Sequence, residues 1–216
     1  MYKVLNGCNH EIHFSRKKNG EYNGVAFLDR DGVVIKEKNY IKDPNDVELN
    51  PGIREIIDFF NKVNYKIIII TNQSGIARQF FSWKDYISVT EKMIFLLGES
   101  VQINSIYACG AINTKNCNWR KPGIGMIYEG WSRILLETKN SILIGDKNSD
   151  IETGIKSNIR ILFHLLTGHG ESEKDKVNNL IKTSGYINEN RNFKNNLFFQ
   201  ERDLYDLLEI LKNLII

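Results

Sequence analysis

Cysteine is scarce in this 216-residue chain: there are three, an odd number that cannot all pair internally. A scaffold held together by disulfides is therefore excluded, and a reducing, cytoplasmic location is the expectation. No apolar run reaches the roughly 18–20 residues that a membrane span requires, so no membrane partner is expected. The opening MYKVLNGCNH also lacks the apolar stretch of a secretory signal. The formal net charge is only +3, and the basic residues are scattered. That argues against a nucleic-acid partner and suits a small anionic ligand.

What the chain does have is 42% hydrophobic residues, enough for one sizeable α/β domain. Residues 1–24 read as an N-terminal appendage and 25–216 as a single domain. Alternation at Ile12–Ser15 and the turn pair Asn19-Gly20 predict a hairpin from about Glu11 to Phe27. Apolar runs at Phe27–Leu28, Ile67–Ile70, Ile103–Cys109, Ser141–Ile144, Ile159–Leu166 and Leu197–Phe199 predict strands. Helical spacing predicts helices at about 51–63, 82–98, 126–136, 151–156, 174–182 and 202–216. Strands alternating with helices imply α/β architecture, a parallel sheet covered on both faces. The intervals Asp29–Thr71 and Thr71–Lys121 are each filled by about one helix and one strand, leaving no space for a large cap domain.

Chemistry gathers where the apolar runs stop. FLDRDGVV (27–34) ends a strand with Asp29 and Asp31, followed by Gly32. Carboxylates two apart on an extended chain point to opposite faces, but a bend at Gly32 can turn both toward one point. A solvated Asp-Gly turn is the ordinary alternative. After Lys66–Ile70 comes TNQSG (71–75), read as the start of a helix. Arg120, Lys121 and Pro122 follow further on, and Ser141–Ile144 runs into GDKNSD (145–150). In open α/β sheets, ligands collect at the carboxyl ends of strands. Two acids, a hydroxyl, two cations and two more acids at those ends are the parts for holding a phosphate through Mg²⁺ and attacking it.

These four motifs, spanning Asp29 to Asp150, resemble the phosphatases of the haloacid dehalogenase superfamily. FLDRDG, TNQSGIAR, RKP and GDKxxD together most resemble the heptose 1,7-bisphosphate 7-phosphatase branch. Histidinol-phosphate phosphatases share several of these motifs. The resemblance implies a Rossmann-like parallel sheet sandwiched by helices, with no large cap. It implies a small phosphorylated sugar as substrate and Mg²⁺ as cofactor. Asp29 takes the nucleophile's place and Asp31 that of the acid and base, with its main-chain carbonyl on the metal. Thr71, Asn72 and Ser74 would hold phosphate oxygens, and Lys121 would offset their charge. Asp146 would bind Mg²⁺, with Asp150 behind it or simply suiting a helix start. Glu37, Tyr40, Arg120 and Lys147 match substrate-contacting positions, and Arg78 is a candidate for a second substrate phosphate. The alternatives are histidinol phosphate, a polynucleotide 3′-phosphate, and a non-catalytic phosphosugar-binding protein.

The resemblance fails in one loop. Relatives carry a zinc site ordered Cys-x-His, then Cys-x-Cys, before RKP. Here Cys109 and Cys117 remain, while Ala111 and Trp119 occupy the other two places. Two thiolates cannot complete a tetrahedral structural site, so no zinc is expected in this loop. Trp119 would pin the loop by packing. Cys8, His10 and His13 form a CxHxxH cluster with metal-compatible spacing, which chance also produces; Cys109 or Cys117 could join it across space. His164 and His169 read as packing or surface residues.

Overall fold

The computed structural model describes residues 2–14, 22–113, 115, 117–132, 140–186 and 196–215. Eight strands form one sheet: β1 (Tyr2–Asn6), β2 (Asn9–His13), β3 (Gly24–Leu28), β4 (Tyr65–Asn72), β5 (Ser105–Cys109), β6 (Ser141–Gly145), β7 (Ile161–Leu165) and β8 (Leu197–Glu201), in spatial order β1-β2-β5-β4-β3-β6-β7-β8. From β5 to β8 every pairing is parallel; β1 and β2 add an antiparallel margin.

The parallel strands are apolar throughout because both faces are covered. Ala26, Leu28, Ile67 and Ile69 face one layer, built from α1 (Ile53–Lys62), α2 (Trp83–Leu97) and α6 (Leu204–Ile215). Val25, Phe27, Ile68 and Ile70 face the other, where α3 (Gly125–Ser132), α4 (Asn148–Lys156) and α5 (Gly170–Lys182) pack. In α1 the buried residues Ile53, Ile56, Ile57 and Phe60 follow a helical stripe. A capping box between Ser82 and Asp85 starts α2.

Chain order runs outward from β3 in both directions, through β4 and β5 on one side and β6 to β8 on the other. The reversal lies between β3 and β6. Their carboxyl ends carry Asp29 and Asp146, at the place where such sheets open a crevice.

Two expectations need correction. The hairpin is β1–β2, with Gly7 in its two-residue turn at φ +58°. The expected Glu11–Phe27 pairing does not form, because β2 pairs with β5 and β3 lies between β4 and β6. Asn19-Gly20 lies outside the described residues, as do 133–136 of the third expected helix and most of the Asn-rich segment 184–196, which is expected to be a loop. Second, Ser74 does not open a helix. Residues 74–79 form successive turns, with Gln79 at φ +61°, and α2 begins only at Trp83. The ring of Phe81 packs where a Cβ on Gly75 would sit and holds the turn irregular.

Candidate active site

Asp29 follows β3 directly, and its N–H extends the pairing to β6 by donating to the Ile144 carbonyl at 2.9 Å. The chain then folds back on itself. The N–H groups of Val34 and Ile35 both donate to the Arg30 carbonyl, and Gly32 takes φ +92°. A Cβ on Gly32 or on Gly168 would overlap Oδ2 of Asp146. Glycine at these two positions lets backbone from two strand ends close on that carboxylate.

Asp29, Asp146 and Asp150 each place a carboxylate oxygen within 4.8 Å of the others, and all three are buried. Lys121 Nζ pairs with Asp29 Oδ1 at 2.8 Å and with Asp150 Oδ1 at 2.6 Å. Burial, then the charge of Asp150, pushes the Asp29 carboxyl up to about 7, against the pull of Lys121. Burial and Asp29 push Asp146 up to about 8. Lys121, with Lys147 also acting on Asp29 and Asp146, does not offset the burial and mutual repulsion of three carboxylates. Asp146 Oδ1 is also buried without a hydrogen-bond partner, while Oδ2 accepts from the His169 N–H at 2.8 Å. An orphaned carboxylate oxygen beside a second buried acid is a donor set that fits a hard divalent cation.

Asp31 takes another direction. Arg30, only 1% exposed, grips its carboxylate with Nε and Nη2, at distances from 2.9 to 3.2 Å. Gln73 Nε2 donates to Asp31 Oδ2 at 2.8 Å, and Thr71 Oγ1 donates to the same oxygen at 3.3 Å. Burial opposes the charge on Asp31, yet Arg30 and Gln73 hold its carboxyl below the usual range. Thr71 is buried and also accepts from Gln73 at 2.7 Å, so its hydroxyl is committed to the Asp31 network. Asn72 likewise turns inward. Its amide accepts from the Lys121 N–H at 2.9 Å and donates to the Lys121 carbonyl at 3.0 Å, fixing the loop that carries the ammonium.

A cavity of about 630 Å³ lies over this cluster. Of the expected substrate contacts, Glu37, Tyr40, Asn72, Ser74, Arg120 and Lys147 line it, together with Asp31 and Lys121. Asp29, Thr71 and Asp146 are buried outside that lining. Lys147 reaches Glu37 at 3.0 Å, and its N–H donates to Asp150 Oδ2 at 3.0 Å. Asp150 therefore caps the start of α4, one of the two roles considered for it, and also pairs with Lys121, which was not anticipated. Tyr40 sits edge-on against Phe80, with ring centroids 4.8 Å apart. Arg78 is exposed and outside the lining. Burial lowers the Arg120 guanidinium, and repulsion from Arg78 adds to this, so the two cations are near neighbours.

Four contributors were not anticipated. Arg30 and Gln73 position Asp31. His169, read as a packing or surface residue, lines the cavity 3.3 Å from Glu37. His164 is fully buried and bonds the Asp146 carbonyl through Nε2 at 3.1 Å and Gln200 through Nδ1 at 3.0 Å. A carbonyl at one nitrogen and an amide N–H at the other assign the proton to Nε2. His169 had a legible signal, since Thr167–His169 ends yet another strand. His10 and His13 do not share a site. His10 stacks on Trp83 while His13 bonds Glu11 and Ser105, as expected of residues three apart on a strand.

A family model described as polynucleotide kinase 3 phosphatase matches residues 24–184. The D-glycero-alpha-D-manno-heptose-1,7-bisphosphate 7-phosphatase of Photorhabdus laumondii is 41% identical over 179 residues, covering 76% of this chain and 96% of that protein. The chain belongs to the haloacid dehalogenase superfamily of phosphatases. This phosphatase is also 34% identical over 182 residues to the enzyme of the same name from Campylobacter jejuni, covering 83% and 98% of the two chains. The D,D-heptose 1,7-bisphosphate phosphatase of B. bronchiseptica, solved with magnesium and phosphate, has the same fold. It gives a TM-score of 0.72 at 22% identity, over 88% of this phosphatase and 98% of that chain. The expected activity class, phosphoric monoester hydrolysis, is thereby established, and among the described residues no helix is long and apolar enough to cross a membrane.

Proposed function

We propose that this phosphatase hydrolyses the 7-phosphate of D-glycero-D-manno-heptose 1,7-bisphosphate, using Mg²⁺ and an aspartyl-phosphate intermediate. The observation that carries the substrate is the match, over nearly their whole length, to two relatives bearing that name, at 41% and 34% identity.

Asp29 attacks phosphorus in line; the bond to the sugar oxygen breaks and the phosphoryl group passes to the carboxylate. Water then attacks the same phosphorus, releasing inorganic phosphate and free Asp29. Lys121, held by Asn72 through its backbone and by Asp150 through its ammonium, offsets charge on the transferring group. Asp31 protonates the departing sugar oxygen and takes a proton from the attacking water. Arg30 keeps Asp31 ionised in the free enzyme, so the proton it passes to the sugar oxygen arrives with the monoanionic phosphate of the substrate, and the proton it later takes from water leaves with inorganic phosphate. Asp29, Asp146 and the Asp31 main-chain carbonyl would hold Mg²⁺, which supplies positive charge to the phosphate oxygens when bound. Arg120, Lys147, Glu37 and Tyr40 surround the sugar, with polar side chains for its hydroxyls and second phosphate.

The deciding experiment is a substrate panel with Mg²⁺: both anomers of the heptose bisphosphate, histidinol phosphate, and a 3′-phosphorylated oligonucleotide. Highest kcat/KM on one heptose anomer, with phosphate lost from C7, is expected. Preference for either other substrate overturns the reading, and failure to cleave even a chromogenic phosphate ester would leave only a binding protein.

A further inference from the structure

The expectation of no zinc rested on a count of two thiols, and the structure raises that count to three. Cys109 ends β5 and Cys117 lies in the loop before Arg120. Cys8 occupies the turn of the β1–β2 hairpin, where its carbonyl accepts from the Gly110 N–H at 2.8 Å and holds the turn against the end of β5. The Sγ atoms of Cys8 and Cys117 are 2.9 Å apart, and those of Cys109 and Cys117 are 3.2 Å apart. These separations are far beyond a disulfide bond of about 2.05 Å. All three sulfurs lie within 4.8 Å of one another, which suits a common centre with bonds of about 2.3 Å.

Backbone donors also point at two of the sulfurs. The N–H groups of Trp119 and Arg120 are directed at Cys117, and that of Ala111 at Cys109. Asn9 Oδ1 stands 3.3 Å from Cys8 Sγ and 3.1 Å from Cys117 Sγ, giving an oxygen donor beside the three sulfurs. Cys8 lies outside residues 24–184, the part that the family model matches, so this third thiol comes from a segment added to the phosphatase core.

The structure assigns Cys8, Cys109 and Cys117 as the thiolate ligands of one Zn²⁺ ion, with Asn9 Oδ1 or water as the fourth donor. Cys8 replaces the ligands lost at Ala111 and Trp119. Bound there, the ion cross-links the hairpin, the end of β5 and the loop leading to Lys121. That loop is joined to it directly, because the Arg120 N–H donates to the Cys117 carbonyl at 3.2 Å and its guanidinium to the Ala111 carbonyl at 2.9 Å. The assignment is independent of the phosphatase substrate.

Elemental analysis of the full chain, purified without chelator and dialysed against excess Mg²⁺, tests it. One zinc per chain is expected, falling to near none in Cys8→Ser and unchanged in Asp146→Asn. Co²⁺ substitution of the wild-type chain should give thiolate-to-cobalt charge-transfer absorption, and chelator should unmask three thiols to a thiol reagent. These last two readouts hold even if Cys8→Ser fails to fold. Absence of zinc and of the cobalt band, zinc retained in Cys8→Ser, or a Cys8–Cys117 disulfide in mapped peptides would each overturn the assignment.

Discussion

Lys121 Nζ lies 2.8 Å from Asp29 Oδ1, with both side chains almost completely buried. The same ammonium reaches Asp150 at 2.6 Å and the Ile70 carbonyl at 3.1 Å, so it ties the ends of β3 and β4 to the start of α4. Burial opposes its charge, but Asp150 and Asp29 raise its pKa above the ordinary lysine value, and it stays protonated across the working range. One group thereby neutralises the proposed nucleophile at rest and is in place to meet a phosphoryl group.

Lys121→Met should lower kcat by about a hundredfold or more, the scale of losing an aimed charge in a dry site. It should also cost about 3–5 kcal/mol of stability, since Asp29 and Asp150 are left buried without their partner. Adding Asp150→Asn should recover part of the stability and none of the activity. Steady-state kinetics and denaturant melts on both variants check this.

Asp29→Asn should reduce turnover by at least about a thousandfold while the fold persists. Wild-type rates in a variant with unchanged circular dichroism would rule out Asp29 as nucleophile.

The pH dependence of stability follows from the raised carboxyls. Asp29 and Asp146 bind protons in the folded state that they have lost in the unfolded state, between an ordinary pKa near 4 and the folded values of about 7 and 8. Stability without divalent cation should therefore fall as pH rises through that window. Mg²⁺ binds the ionised form, so the Tm increase on adding it should be larger at pH 8 than at pH 6. Saturation at a hundred times Kd corresponds to about 2.7 kcal/mol. An Mg²⁺-induced shift that is flat or larger at low pH would contradict binding at these carboxylates.

Arg30→Gln should raise the Asp31 pKa, because the paired guanidinium holds that carboxyl below its ordinary range. The acidic limb of the kcat/KM profile should move to higher pH by the same amount. An unshifted limb accompanied by a simple loss of protein would mean that Arg30 serves stability alone.

Arg78→Ala should weaken the heptose bisphosphate several-fold more than a heptose monophosphate, consistent with an exposed charge worth up to about 1 kcal/mol. Equal KM changes for both substrates would remove Arg78 from the recognition of the second phosphate.

Much of the sheet was legible because unbroken apolar runs such as Lys66–Ile70 and Ser141–Ile144 admit few states other than buried parallel strands. The motif residues could be placed at strand ends for the same reason. The Ser74 turns escaped notice because their shape depends on the Phe81 ring packing over Gly75. The hairpin was misplaced because its register depends on β5, a strand distant in sequence that pairs with β2. Thr71 and Asn72 were read as facing phosphate; their bonds to Asp31 and Lys121 were not legible, although Asn72 does line the cavity.

By itself, the amino-acid order determined an α/β sheet whose strand ends carry Asp29, Asp31 and Asp146, with Lys121 in the loop after β5, since alternating apolar segments and polar breaks dictate local state and layer. Tertiary structure alone decided the partnerships: Arg30 gripping Asp31, Asp150 behind Lys121, and Cys8 brought against Cys109 and Cys117. The physical reason is range. Local patterns select backbone conformation, while contacts between distant side chains depend on strand order, register and the backbone turns at Gly7, Gly32 and Gly168.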